Sequence, residues 1–361
     1  MLRKISFTLA LSGLAQSTLI DLKTSGATGK SVLASTNFDY VRGTTAIKSF
    51  GSPLTIVVGG GTAGLTVARR LSDDSSKKVL VLEAGRSGLN DPLVTIPKNS
   101  FAFIATDIDW FYNSAPQTNA NNKVVNLSAG KILGGDSAIN GLVWVRGAKE
   151  EYDAIESLGN QGWNWNRFYA AMRKAEAYKP VPAPNEYGYQ AKASSLGTSG
   201  PVDVTFPGYL PLQHQKFIEA SVQLGHTHNK DAYSGNNRGV FHSLSSQTRA
   251  AVRRTSHVAY VDPVISRTNL VVLHNGALVS KLDIAPASSP VSVSTVQVRF
   301  PDGTVQLAKP KATTGEVILS GGTIRTPQLL ELSGVGDPAV LTPLGIPVRV
   351  NLPGVGANYE D

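Results

Sequence analysis

The sequence contains no cysteine, and this absence excludes disulfide bonds, thiolate zinc sites and cysteine nucleophiles together. It also has no apolar run of transmembrane length, so no membrane partner is expected. Lysine and arginine give a net charge of +8 but are scattered, without a basic run interleaved with aromatic residues. A nucleic-acid partner is therefore not expected. What remains is an ordinary globular composition, 41% hydrophobic and 17% charged, in 361 residues that can bury a large core.

The first residues have the pattern of an export signal. Arg3 and Lys4 precede an apolar run over residues 5–15, with small residues at its end where a signal peptidase can cleave. We expect residues 1–15 to be a signal peptide and the protein to be secreted and extracellular. The alternative is a disordered start that contains a few apolar residues. Asn126 opens an Asn-Leu-Ser glycan acceptor, which fits secretion.

A strand, a glycine turn and a helix follow one another around residue 60. Residues 55–58 have the pattern of a short buried strand, and apolar residues recur at helical spacing over residues 65–71. The glycines between them fit the spacing G-x-G-x-x-G at Gly59, Gly61 and Gly64. Gly59 allows the tight turn, Gly61 lets a diphosphate approach the backbone, and Gly64 lets helix and strand pack closely.

The next strand strengthens this interpretation. Residues 78–82 form a second apolar strand that ends on Glu83, roughly 20 residues beyond the last glycine. A carboxylate there accepts hydrogen bonds from adenosine ribose hydroxyls, while the N-terminus of the helix offers free N–H groups to the phosphates. The alternative is an ordinary βαβ unit with an exposed glutamate. These residues predict a dinucleotide site but do not distinguish NAD from FAD.

Two longer glycine-containing segments indicate which dinucleotide is bound. Residues 130–147 (GKILGGDSAINGLVWVRG) and 322–336 (GTIRTPQLLELSGVG) closely resemble the two signatures of the glucose-methanol-choline (GMC) family of flavin oxidoreductases. Shorter segments similar to the family lie at residues 109–112, 162–165 and 352–358, so the resemblance is collinear from residue 55 to the last residue. Within the family, the fungal sugar and aryl-alcohol oxidases and dehydrogenases look most similar.

The resemblance implies an α/β fold, in which a Rossmann-like FAD-binding domain is combined with the first part of a discontinuous substrate domain. It divides the chain after the signal peptide into an N-terminal segment (16–54), a first FAD-binding part (55–158), a substrate-domain part (159–239) and a second FAD-binding part (240–361). The family continues beyond this point into its C-terminal catalytic region, so we expect the chain to be a truncated, N-terminal portion.

The resemblance also implies which residues contact FAD. These are Thr62, Ala63, Glu83, Ser137, Asn140, Gly141, Leu142 and Val143, together with Val279, whose position in the family meets the adenine through its backbone. Gly134 belongs to a Gly-Gly turn whose backbone can press against a cofactor without intervening side chains. Asn140 and Gly141 are expected along the flavin, where amide groups hydrogen-bond the isoalloxazine edge.

Asp136 departs from the family, which has Ser, Thr or Gly at a position that donates to the cofactor phosphates. A carboxylate a few ångströms from a diphosphate is repelled by several kcal/mol unless water or a cation intervenes. Lys131 is the cation expected to screen it. The sequence therefore predicts weakened FAD binding.

The first strand of the family is interrupted in this sequence. The family strand reads Phe-Asp-Tyr-Val-Ile-Val and runs directly into the glycines, whereas residues 38–41 (FDYV) are separated from residues 56–58 by residues 42–55. A charged insert cannot lie within a central parallel strand without leaving backbone groups unpaired. We interpret residues 42–55 as a non-family insert, such as a retained intron translated in frame. The alternative is a genuine N-terminal loop before a strand that starts late.

The function implied by the resemblance is oxidation of a CH–OH group of an alcohol or sugar, with hydride transfer to FAD and reoxidation by oxygen or another acceptor. In the family, a histidine near the C-terminus deprotonates the substrate hydroxyl, and no residue of this sequence matches it. No catalytic residue is therefore predicted, and the chain alone is expected to be inactive. No metal site is predicted either, because His226 and His228 have only Asp231 nearby as a further ligand.

Two alternatives remain open at this point. One is a catalytically inactive fragment or gene-model product that binds FAD weakly or not at all. The other is a different enzyme that uses NAD, which the two flavin signatures disfavour. Sugars, aryl alcohols and choline-like alcohols are all compatible with the sequence, as are oxidase and dehydrogenase activity.

Three further patterns predict local structure. Residues 162–178 predict a helix, and residues 293–305 predict a hairpin that turns at Pro-Asp-Gly. Residues 316–319 predict a buried strand that enters a glycine turn. Pro327 is then expected in the first turn of the following helix, where no N–H is needed.

Overall fold

The computed structural model describes residues 19–23, 54–285, 291–311 and 314–360. The predicted signal peptide, residues 38–41 and residues 42–53 of the predicted insert lie outside the described residues, so secretion and the insert stay predictions there. No helix within the described ranges is long and apolar enough to cross a membrane.

The described residues form sixteen strands and seven α-helices. The strands are β1 Leu19–Asp21, β2 Leu54–Val58, β3 Lys78–Leu82, β4 Tyr112–Asn113, β5 Asn126–Leu127, β6 Val143–Trp144, β7 Glu176–Tyr178, β8 Val202–Val204, β9 Leu244–Ser245, β10 Leu270–His274, β11 Leu278–Ile284, β12 Val293–Arg299, β13 Val305–Ala308, β14 Glu316–Leu319, β15 Val335–Gly336 and β16 Val350–Asn351. The helices are α1 Thr62–Leu71, α2 Pro92–Thr95, α3 Lys149–Ser157, α4 Trp165–Ala175, α5 Leu212–Gln223, α6 Gly322–Leu332 and α7 Pro338–Leu341.

The centre of the fold is a five-stranded parallel sheet with the strand order β1-β10-β3-β2-β14. β2, α1 and β3 form a βαβ unit, in which Ile56 lies opposite Leu80 and Val58 opposite Leu82. Because all five strands run in one direction, the loops at their carboxyl ends meet along one edge of the sheet, where such folds bind dinucleotides. This arrangement agrees with the predicted Rossmann-like α/β fold.

The side chains of β2 are buried on both faces of the sheet. Ile56 and Val58 pack towards β11, β12 and α6, whereas Val57 packs against Leu65 and Ala68 of α1. This alternation follows from the two-residue period of a strand, and covering both faces is typical of parallel sheets. Each fully buried aliphatic side chain contributes about 1.5–3 kcal/mol relative to an exposed one. The strand and helix on either side of the first glycine turn are therefore firmly held.

A three-stranded antiparallel sheet covers one face of the central sheet. β12 and β13 form the predicted hairpin, and its turn is closed by the N–H of Gly303 donating to the carbonyl of Phe300 at 2.9 Å. β11 pairs with the other side of β12 and brings Val279 opposite Val298. The hairpin prediction is confirmed, and the third strand places Val279 near the carboxyl ends of the central strands.

A second core lies between residues 144 and 260, around the parallel pair β7 and β8. Its buried members include Tyr178, Val202, Val204, Phe206 and Tyr233. Arg146, also buried, donates from Nη2 to both carboxylate oxygens of Glu176 at 2.6 Å. Since both charges are removed from water, each is compensated by the opposite charge of the other, in addition to hydrogen bonds from neighbouring groups. This core contains most of the predicted substrate-domain part, whose exact boundaries stay predictions.

Two predicted element boundaries are wrong. The helix predicted over residues 162–178 is α4, Trp165–Ala175, because residues 176–178 pair with β8 as a strand that local periodicity does not reveal. β2 begins at Leu54, so Leu54 and Thr55 at the end of the predicted insert belong to the strand. Any insert interrupting the family strand therefore ends by residue 53.

Two details of the second glycine turn are also wrong. β14 is a half-buried strand at the edge of the described sheet rather than a buried one, since only β2 pairs with it. Pro327 is the sixth residue of α6, because the helix begins directly at Gly322. A proline there cannot donate to the carbonyl of Thr323, so one helical hydrogen bond is missing.

Candidate cofactor-binding site

The turn between β2 and α1 has the close packing that only glycine permits. Gly59 has φ of +100°, and a Cβ atom added to it would collide with the carbonyl group of Ser320. A Cβ atom on Gly64 would collide with the carbonyl oxygen of Gly59. Gly61 caps α1 without a side-chain hydrogen bond, so the first N–H groups of the helix stay available. The predicted roles of Gly59 in the turn and of Gly64 in close packing fit this geometry.

A second glycine turn lies directly on the first. Gly134 donates its N–H to the carbonyl of Gly60 at 2.8 Å, and the Thr62 hydroxyl donates to the carbonyl of Gly134 at 3.2 Å. Gly135 has φ of +50°, and a Cβ atom on it would lie 2.8 Å from the Cα atom of Gly61. Two backbones therefore approach each other without intervening side chains. The N–H groups of Gly134 and Gly135 are both hydrogen-bonded within the protein, so this second turn shapes the cavity through its backbone rather than by donating to a ligand.

Glu83 follows β3 and is only 7% exposed. Its Oε2 accepts the N–H of Gly60 and its Oε1 accepts the N–H of Gly85, both at 2.7 Å. Burial raises the pKa of this carboxyl to about 7, although the backbone N–H groups and Lys131 act in the opposite direction. Each oxygen has a further lone pair, so the carboxylate can still accept from a ligand hydroxyl.

Asp136 is held differently from what the sequence suggests. Its Oδ1 accepts the N–H of Gly130 at 2.7 Å, which braces the second glycine turn across six residues. Lys131, the cation expected to screen it, forms no ion pair with Asp136 among the described residues and instead lies over the Trp110 ring, 5.0 Å from its centroid. The backbone N–H therefore compensates part of the carboxylate charge, and screening by Lys131 stays a prediction.

These turns surround a cavity of about 900 Å³ at the carboxyl ends of β2 and β3. Half of the predicted site residues line it: Gly59, Gly61, Thr62, Ala63, Glu83, Asp136 and Val279. Trp110 and Tyr112 also line it, with their rings stacked and their centroids 6.1 Å apart, as does Arg325 of α6, which lies over the Trp110 ring. Asn126, the predicted glycan acceptor, also lines the cavity, so a glycan there would compete with a ligand for space.

The other predicted site residues lie outside the lining of this cavity. Gly64 and Gly134 pack within the two glycine turns. The hydroxyl of Ser137 donates to the carbonyl of Gly134 at 2.6 Å. Asn140, Gly141 and Val143 are exposed, whereas the side chain of Leu142 is buried although its φ is +64°. Their assignment to the flavin end of the cofactor stays a prediction.

Arg253 positions Asn140, and the sequence does not predict this role. Its side chain is 1% exposed and donates from Nη1 to Oδ1 of Asn140 at 2.8 Å and from Nε to the carbonyl of Val94 at 2.9 Å. Burial lowers its pKa to about 10. Its partners are more than a hundred residues away in the chain, so no local pattern indicates the contact. The sequence places Trp110 and Tyr112 within a family-like segment but indicates no role for either.

The family of the chain follows from comparison with known proteins. A family model described as GMC oxidoreductase matches residues 54–361 and begins at the first residue of β2. The chain belongs to the GMC oxidoreductase family. The GMC oxidoreductase family protein Mala s 12 of Malassezia sympodialis is 36% identical over 314 residues, which cover 85% of this chain and 50% of that protein. This chain spans about half the length of the curated relatives it matches.

Solved structures agree with this assignment. An FAD-dependent oxidoreductase from Chaetomium thermophilum is 32% identical, with a TM-score of 0.76 over 83% of this GMC chain and 51% of that one. A fungal aryl-alcohol oxidase is 29% identical, with a TM-score of 0.76 over 86% of this chain and 52% of that one. The predicted family and the Rossmann-like fold are confirmed. The family and the FAD-dependent oxidoreductase from Chaetomium thermophilum support FAD as the cofactor, as predicted.

The residues present fit a dinucleotide. A bulkier residue could not replace Gly59 or Gly135 without a clash or a strained backbone, and both face a cavity of the size typical of cofactor sites. The helix N-terminus is free, and a buried carboxylate lies at the end of the neighbouring strand. This combination of donors for phosphate and an acceptor for hydroxyls matches the two polar parts of an adenosine diphosphate group.

Proposed function

We propose that this chain is the FAD-binding portion of a GMC oxidoreductase that oxidises the CH–OH group of an alcohol or sugar. The observation that carries the proposal is the cavity at the carboxyl ends of β2 and β3, where two glycine turns and Glu83 meet in a chain matched to the family from residue 54 onwards. The similarity to an aryl-alcohol oxidase supports an alcohol as the substrate class.

The residues of the cavity have distinct roles in this proposal. The N–H groups of Gly61 and of the start of α1 bind the diphosphate. Glu83 accepts the adenosine ribose hydroxyls through its remaining lone pairs, and the backbone of Val279 meets the adenine. Bound FAD supplies an acceptor for the hydride of the alcohol carbon. Asn140, which Arg253 holds at an exposed surface, and the neighbouring Gly141 lie at the flavin end.

We further propose that residues 1–361 alone do not oxidise alcohols, because the described residues of the cavity include no group positioned as a base for the substrate hydroxyl. No histidine lines the described cavity, and its carboxylates are Glu83, Asp136 and Glu360. Glu83 is occupied by two backbone N–H groups and Asp136 by one. Loss of a positioned base typically removes about 10²–10⁴-fold of rate.

An anaerobic reduction experiment tests both statements. The purified chain is loaded with FAD and mixed with benzyl alcohol, glucose, methanol or choline, while the visible flavin absorption is followed. Dithionite serves as the control that shows the flavin to be reducible. We expect bleaching by dithionite and none by the alcohols at the rate of a working enzyme. Rapid bleaching by any alcohol would show that a base lies within these residues. A chain that cannot be loaded with FAD would instead support the inactive fragment.

A further inference from the structure

The charged side chains that line the described cavity are mostly acidic. They are Glu83, Asp136 and Glu360, and Arg325 is the one cation among them. The diphosphate of a dinucleotide is itself negatively charged, so these carboxylates repel it. Backbone N–H groups contribute partial positive charge, but a full positive charge facing the ligand has to come from Arg325.

Arg325 is held in a defined orientation in the first turn of α6. Its guanidinium carbon lies 3.8 Å from the centroid of the Trp110 ring, and its Nε donates to the Tyr112 hydroxyl at 3.1 Å. Its Nη1 makes a long contact of 3.4 Å with the side-chain oxygen of Gln328. Cation–π contact and one hydrogen bond thus fix the plane of the group before a ligand arrives.

No carboxylate pairs with Arg325 among the described residues, in contrast to other arginines of this chain. Arg86, for example, contacts Asp91 at 2.6 Å and Asp107 at 2.7 Å, and both Nη groups of Arg146 are engaged by Glu176 and two backbone carbonyls. Nη2 of Arg325 has no acceptor within the part of the chain that the structure describes. The guanidinium therefore combines a fixed plane with N–H groups that are free to bind an anion.

Arg325 and Asp136 both influence the pKa of the Tyr112 hydroxyl. Burial raises the pKa of the Tyr112 hydroxyl; the positive charge of Arg325 lowers it and the negative charge of Asp136 raises it. Asp136 belongs to the glycine turn that lies on Gly61, where the diphosphate is expected. The positive charge of Arg325 and the negative charge of Asp136 thus act on the same hydroxyl group in the lining of the cavity.

We propose that Arg325 is a diphosphate-binding residue of the FAD site, which donates from its free Nη groups to a phosphate oxygen and offsets the charge of Asp136. The inference rests on the proposed function, since it presumes that the cavity holds a dinucleotide. It assigns Trp110 and Tyr112 a positioning role, because they hold the guanidinium towards the cavity.

Ligand binding to the cofactor-free chain tests this assignment through three probes: FAD, ADP and adenosine. Arg325→Gln should weaken both FAD and ADP by about 10- to 100-fold, as expected for loss of a charge-assisted hydrogen bond. It should leave adenosine binding unchanged, because adenosine carries no phosphate. Arg325→Lys should retain part of the affinity, and Arg325→Gln should reduce the salt dependence of ADP binding. Arg238→Gln, an identical change at an exposed arginine outside the cavity, is the matched control.

Several results would overturn the assignment. Unchanged ADP affinity in Arg325→Gln would show that the guanidinium stays on Trp110 and does not reach the phosphates. An equal loss for adenosine and ADP would place its role at the nucleoside instead. A similar loss in Arg238→Gln would reduce the effect to overall charge. If the unmodified chain binds neither FAD nor ADP, the proposed function itself fails, and this is evident before any variant is compared. Thermal unfolding of each variant confirms that it is folded.

Discussion

The affinity of this chain for FAD should rise steeply between pH 5 and pH 7, because of Glu83. Burial raises the pKa of this carboxyl in the cofactor-free protein to about 7. Ribose hydroxyls donate more strongly to a carboxylate than to a protonated carboxyl, so FAD prefers the ionised form. Below pH 7, binding must therefore include the free energy of removing a proton.

The magnitude follows from the pKa. A solution at pH 5 is about two pH units below the pKa of Glu83. Ionising the carboxyl there costs about 2.7 kcal/mol, which corresponds to about 100-fold in affinity. Above pH 7 the cost vanishes and the affinity reaches a plateau. The same pKa shift changes the free energy of unfolding. The pKa is raised from 4.5 to about 7, so the folded state binds the proton more tightly than the unfolded state. Glu83 thus destabilises the cofactor-free protein by up to about 3 kcal/mol as the pH rises from 4.5 to 7.

Titration of the cofactor-free chain with FAD at pH 5, 6, 7 and 8, followed by quenching of flavin fluorescence, measures this dependence. Glu83→Gln cannot ionise, so its affinity should be nearly independent of pH and about 1–3 kcal/mol weaker at pH 8. Glu150→Gln, at an exposed glutamate of α3, should behave like the unmodified protein. A flat profile in the unmodified chain, or an unchanged slope in Glu83→Gln, would refute the role given to this carboxylate.

Three further substitutions test other parts of the site and fold. Asp136→Asn keeps an oxygen for the backbone N–H that it accepts but removes the charge, so FAD should bind more tightly, and less so at high salt; weaker binding would mean that the carboxylate helps the cofactor. Gly64→Ala places a methyl group against a backbone carbonyl, so it should lower the free energy of unfolding in a urea titration by about 1–3 kcal/mol and also weaken FAD binding. Gly354 has open space around it, so Gly354→Ala should change the stability little. Arg146→Met leaves Glu176 buried without its partner and should cost about 3–5 kcal/mol in the same titration, and a loss below 1 kcal/mol would contradict the importance of that pair.

The βαβ unit around residue 60 could be predicted because its signals are local. The apolar strand, the three glycines and the acidic residue at the end of β3 all lie within 30 residues, and their spacing reflects backbone geometry directly. The same holds for the hairpin of β12 and β13. The end of α4 could not be predicted in this way. Residues 176–178 become a strand only because they pair with residues 202–204, and the helical spacing before them gives no sign of that contact.

The side-chain contacts of the site were less accessible to sequence reasoning. Arg325 meets Tyr112 across 213 residues of chain, and Arg253 meets Asn140 across 113. Such contacts depend on how separate segments pack in three dimensions, and neither arginine has a local pattern that distinguishes it from others. The hydrogen-bond partner of the Asp136 carboxylate could not be predicted from the sequence either. The sequence suggested a lysine as its partner, whereas the backbone of Gly130 provides the hydrogen bond.

The most direct test of the account is a binding titration of the purified chain with FAD, compared with NAD under identical conditions. We expect one FAD per chain, retained through gel filtration with the visible absorption bands of a flavin, and displaced by ADP. NAD should bind far more weakly. Absence of FAD binding, or equal affinity for NAD, would contradict the central claim that the cavity formed by the two glycine turns and Glu83 is an FAD site.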